Sequence, residues 1–177
     1  SLIKHKYRSV RTMLQQLNAT KKGLITGLVM IILSLFFFYG LKQPPDSKYQ
    51  YVIYSVYTLG IIWSIASFNK PAGNESKFKE YFSAGFKTFI VVTLLMVVYT
   101  GIFYKINPSI LEAKIELNNK LAMQEGNHTA PEIESNANQM RSIFIPMMLA
   151  ITTFIYLFIG ALVSAVVSAV IMQMKKN

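Results

Sequence analysis

The chain has 177 residues, with 18 Lys and Arg against 8 Asp and Glu for a formal charge of +10, yet 53% of it is apolar and 13% aromatic. Its mean hydropathy is +0.37. Charged and apolar residues occupy separate stretches, which fits neither a soluble enzyme core, a disordered chain nor a nucleic-acid binder and points to an all-α polytopic membrane protein. The absence of cysteine excludes a disulfide scaffold, Cys-based catalysis and Cys-ligated zinc.

Residues 2–17 place Ile3, Tyr7, Val10, Leu14 and Leu17 at steps of three and four, with Lys4, Arg8 and Arg11 on the opposite face. This spacing predicts a basic amphipathic helix lying in the headgroup plane. With Lys6, Lys21 and Lys22 it makes a basic arm over residues 1–22, followed by a four-helix membrane domain over 23–177. A bilayer core of about 30 Å needs about 20 mostly apolar helical residues. The first such stretch is 23–41. Its apolar run is too long for a cleaved signal, and Lys42-Gln43-Pro44-Pro45 follows it instead of a small-residue cleavage site. The second span is 50–68 and the third 87–104. Phe78, Phe82, Phe86 and Phe89, with Lys79 and Lys87 beside them, form an aromatic lead-in to the third, its lysines snorkelling to water.

Residues 107–142 read as a helical hairpin. Asn107-Pro108 suits an N-cap and first-turn proline, Gly126 suits a C-cap, and Pro131 to Arg141 suits a second short helix. Leu111, Ile115 and Leu121 give the first of these helices an apolar stripe; Ile133, Ala137 and Met140 do so for the second. The fourth span is 148–172, with Pro146 before it marking turns outside the bilayer or a bend.

Lys and Arg counts orient the spans. With both termini cytoplasmic, the cytoplasmic side holds the six basic residues of the arm, Lys70, Lys77, Lys79, Lys87, Lys175 and Lys176. The other side holds Lys42, Lys48, Lys105, Lys114, Lys120 and Arg141, balanced by Asp46 and five glutamates. The whole net charge then faces the cytoplasm, and the hairpin between helices 3 and 4 is periplasmic.

Small residues recur at four-residue steps in the last span: Gly160, Ser164 and Ser168, with Ala161, Ala165 and Ala169 beside them. Gly23 and Gly27 begin a similar ridge on the first span, and Gly101 is a candidate contact on the third. Such ridges let membrane helices approach closely, within one bundle or against a second copy or a partner. The hydroxyls of Tyr54, Tyr57, Thr58, Ser64 and Ser67 on the second span, and of Thr93, Tyr99 and Thr100 on the third, suit interhelical hydrogen bonds or a polar conduit. No ionisable residue lies mid-span, which argues against a proton pump or voltage sensor. His5 and His128 fall on opposite sides and cannot share a site. Glu112 and Glu116 have the spacing of a shared metal but lack a third ligand in register. No catalytic residue, cofactor site or metal site emerges. Lys4, Lys6, Arg8, Arg11, Lys21, Lys22, Lys79 and Lys87 are the remaining candidates, as a surface for anionic lipid or an acidic protein partner.

Three passages carry a family resemblance: Tyr81-Phe82-Ser83-Ala84-Gly85-Phe86-Lys87; Tyr99 to Pro108; and Gly160-Ala161-Leu162-Val163-Ser164 with Lys175-Lys176. Over roughly Lys22 to Lys176 the chain resembles four-helix inner-membrane proteins of Gram-negative bacteria catalogued as domain of unknown function 4199. The resemblance implies that fold and location but no activity or functional residues. Members are often encoded near a polyprenyl-phosphate glycosyltransferase, which suggests such a partner. The expectation is therefore a non-enzymatic accessory or scaffold subunit in the inner membrane that holds a partner, such as a lipid-linked sugar glycosyltransferase. The alternative is a small lipid or solute transporter, possibly dimeric.

Overall fold

The computed structural model describes residues 17–68 and 77–175, and every described element is helical. Residues 1–16 of the expected arm (Lys4, Lys6, Arg8 and Arg11 included) lie outside these residues, as do Lys70, Glu75 and Lys176.

Helix α1, Ala19–Leu35, starts where the Asn18 side chain accepts the Lys21 amide at 2.9 Å, satisfying one of the free donors of a first turn. It opens into a π-helical turn over Phe36–Gly40, and the chain then leaves through Lys42 at φ +54°. Helix α2 is Gln50–Ala66. Helix α3, Phe78–Ile106, takes in the aromatic lead-in without a break, and its start is fixed by the Glu80 carboxylate accepting the Lys77 amide at 2.9 Å. Helix α4 is Pro108–Glu125, ended by Gly126 in the left-handed conformation at φ +68°. Helix α5 runs from Ala130 to Met174, its start fixed in the same way by Glu132 accepting the Thr129 amide at 2.7 Å.

Two details differ from expectation. Asn107 occupies the N-cap position, but its side-chain amide donates backwards to the Phe103 carbonyl at 2.9 Å and so closes the end of α3. Residues 131–141 form no separate helix: α5 continues through Pro146 for 45 residues. A proline removes one internal hydrogen bond, whereas stopping and restarting a helix strands several donors and acceptors.

Three helical stretches are long and apolar enough to cross a membrane: Ala19–Gly40, Phe78–Ile106 and Ala130–Met174. Helix α2 is equally apolar but has 17 residues, or about 26 Å at 1.5 Å per residue. Large side chains such as Ile32, Leu59, Leu94, Phe154, Leu162 and Val166 are more than half exposed, while Thr26, Ser64, Thr88, Thr93, Ser164 and Ser168 are buried. This inversion of the soluble pattern suits a hydrocarbon surrounding.

The chain forms two compact units, Ser1–Leu95 with Ile155–Asn177, and Met96–Phe154. In the first, four helix termini meet. Lys22 at the start of α1 reaches Ser67 at the end of α2. The Thr88 hydroxyl of α3 lies 3.1 Å from the Ala19 carbonyl oxygen. Lys175, just past α5, lies 5.2 Å over the Tyr81 ring of α3. At the other end of α1 and α2, the Phe37 and Tyr49 rings lie 4.9 Å apart. In the second unit, Phe103, Ile115, Ile133, Ala137 and Phe144 are buried, and the Tyr104 and Phe144 rings meet edge-on at 5.0 Å.

Candidate functional site

Glycine sets how closely the helices of the first unit approach. A methyl group added at Gly60 of α2 would overlap the Thr26 side chain of α1. Added at Gly27, it would lie 2.6 Å from Leu95; at Gly23, 2.9 Å from the Thr88 carbonyl oxygen. Gly85 of α3 faces the Ser164 side chain, and Gly160 of α5 faces Phe89 and the Tyr57 hydroxyl. The small residues singled out in sequence at Gly23, Gly27, Gly160, Ser164 and Ser168 are thus buried within this chain. Ala161 and Ala165 are half-buried, and Ala169 is exposed. Gly101, in the second unit, makes an ordinary contact with Leu149. Gly60 and Gly85 escape a sequence reading because each is isolated in its own helix. The complementary Thr26 and Ser164 lie on other helices.

The hydroxyls opposite these glycines bind helices to one another. Tyr57, wholly buried, donates to the Tyr156 carbonyl at 2.7 Å. Ser64 donates to the Ala84 carbonyl at 3.3 Å, and Thr88 reaches the Ser64 hydroxyl at 2.6 Å. Thr93 turns back to the Phe89 carbonyl at 2.7 Å. Ser164 and Ser168 are buried against this interior, and their hydroxyls find no hydrogen-bond partner among the described residues.

Lys22 is the one charged side chain in the buried interior of the described residues, at 3% exposure. Its ammonium donates to the Ser67 hydroxyl, which donates on to the Trp63 carbonyl, and it lies 5.5 Å from the Trp63 ring. The sequence assigns Lys22 to an open basic surface; the structure instead encloses it between α1 and the end of α2. Burial could not be read from Lys22 alone, because Ser67 and Trp63 stand more than forty residues away. Lys21, Lys79 and Lys87 are exposed.

Glu112 and Glu116 are each taken by a cation. Arg141 clasps Glu112 with two hydrogen bonds of 2.9 and 2.8 Å, and Lys120 pairs with Glu116 at 2.7 Å. Hydrogen bonding to these partners, helped by their charge, holds both carboxyls below their ordinary pKa. A shallow cleft of about 650 Å³ runs along α4 past Ser109, Glu116, Asn119 and Met123 to Arg141. Among the described residues no group of three or more His, Asp or Glu side chains is placed to hold a metal ion.

No curated protein and no solved structure matches the chain. A family model does, over residues 21–173, which takes in all five helices save the edges of the first and last. The chain belongs to the family described as Protein of unknown function (DUF4199).

Proposed function

We propose that this is an inner-membrane protein of four spans with both termini cytoplasmic, acting as a non-enzymatic accessory subunit. Its exposed basic end, with Lys21, Lys79 and Lys87, holds an acidic face of a membrane-associated partner such as a lipid-linked sugar glycosyltransferase. The meeting of the α1 start, α2 end, α3 start and α5 end supports the up-and-down path. The excess of Lys and Arg at that end supports its cytoplasmic side.

The observation that carries the accessory reading is the use of the α2 and α3 hydroxyls. Tyr57, Ser64 and Thr88 bond across to neighbouring helices and Thr93 to its own, so they serve packing rather than a water-lined path.

Affinity purification in mild detergent tests the proposal. One partner at stoichiometric yield is expected, lost when Lys79 and Lys87 are both changed to Glu. Recovery of the chain alone, together with solute flux into liposomes containing only this protein, would replace the accessory reading with that of a transporter.

A further inference from the structure

We propose that α4 pairs with the α4 of a second copy of this chain, along the side that it turns away from α5. Ile115 is 2% exposed, and on either flank of it Glu112 and Asn118 bond to Arg141 and Met140 of α5. With 3.6 residues per turn, Leu117 falls on the other side of the helix, with Ile110 and Leu121 next to it. Leu117 is 58% exposed and Leu121 48%, while Ile110 is half-buried. The start of α5 has no such face: from Ala130 to Ser142 it exposes no large apolar side chain, and Glu134, Ser135, Asn136, Asn138 and Gln139 meet the solvent. Single apolar residues on a surface are ordinary, so the spacing on α4 carries the inference.

Ile110, Lys114, Leu117, Leu121 and Gln124 follow one another at steps of four, three, four and three. That is the seam of a two-stranded coiled coil, in which a lone lysine among apolar residues fixes register and strand number. In a parallel pair, residues five apart meet at the edges of the seam, and here these are Lys120 of one copy and Glu125 of the other. Both side chains are 66% exposed; Lys120 pairs with Glu116 at the surface, and Glu125 stands 3.9 Å from His128. Exposed pairs of this kind are weak and readily shared. An antiparallel pair centred on Leu117 would set Lys120 against Lys114, so the charges select the parallel one. Two copies inserted in the same sense in one bilayer are parallel about a two-fold axis. Asn107 alone separates α3 from α4, so spans that share a membrane hold the two helices close. That closeness supplies what a seam of 18 residues lacks by itself.

The inference rests on the common orientation of the copies in the membrane and needs no accessory partner, so it is read separately from the affinity purification. The chain has no cysteine, and single ones therefore report on the seam. The full chain carrying Leu117→Cys or Leu121→Cys is oxidised in its membranes. Met123→Cys, at a position 66% exposed but off the seam, measures chance collisions. A disulfide-linked dimer is expected at 117 and at 121 in several-fold excess over 123. Parity with 123, or no dimer at either leucine, overturns the proposal, whether lipid, water or another protein covers the stripe. Two differently tagged copies give a second reading. Lys120→Glu should lower their co-purification by about fivefold, and adding Glu125→Lys to the same chain should restore it. Co-purification that is absent, or indifferent to Lys120→Glu, overturns the pairing.

Discussion

Lys42 holds a φ of +54° where α1 gives way to the loop before α2. A side chain there costs about 1 kcal/mol that glycine avoids, and glycine returns part of this through the freedom it adds to the unfolded chain. Lys42→Gly should therefore raise the detergent unfolding midpoint slightly, and a lower midpoint would refute strain at this position. In the interior the signs reverse. Tyr57→Phe loses the bond to the Tyr156 carbonyl and should cost about 1 kcal/mol. Gly60→Val drives two methyl groups toward Thr26 and should cost about 3 kcal/mol, read from the same unfolding curves. Leu59→Val, one residue away on the exposed face, should leave the midpoint unchanged. Interhelical bonding by Tyr57 and Ser64 was legible from hydroxyls in an apolar run. The roles of Gly60, Gly85 and Lys22 were not, since each is defined by a residue on another helix.

Among the elements, α4 and the first turns of α5 lie side by side through Arg141 and Glu112, with Asn118 donating to the Met140 sulfur at 3.3 Å. Because the Glu112 carboxyl titrates below its ordinary value when folded, its contribution to stability is complete above the ordinary glutamate pKa. That contribution is lost as pH falls through the lowered one. Amide exchange across Pro108–Glu125 should accelerate between pH 5 and about pH 3 beyond its intrinsic rate. Arg141→Met should shrink that step to the part left to Glu116 and Lys120, whereas an unchanged step in the variant would detach Glu112 from it. Both ends of α4 were legible in Asn107-Pro108 and Gly126, because caps and left-handed turns are written in single residues. The unbroken course of α5 was not. Pro146 is a local stop signal, overridden by the backbone bonds of 45 consecutive residues.

At the scale of the molecule, many large apolar side chains are exposed while hydroxyls such as those of Ser64, Thr88 and Ser164 are buried beside an apolar core. The proposed four-span path makes a prediction that the absence of cysteine renders easy to read. Single cysteines at Lys48 or Asn127, both exposed, should react with a membrane-impermeant maleimide in intact cells freed of the outer membrane. A cysteine at Lys79 should react only after lysis; labelling of all three from one side would refute the path. The bond from Tyr57 to the Tyr156 carbonyl spans 99 residues, and Gly85 packs against Ser164. A ribosome therefore releases α1, α2 and the start of α3 long before it makes the segment that covers them. Until then the Tyr57 hydroxyl and the notch at Gly85 lack the partners that cover them in the finished chain. A chain truncated before Ile155 should for that reason be cleaved by protease faster than the full chain, and equal rates would refute a covering role for the last helix.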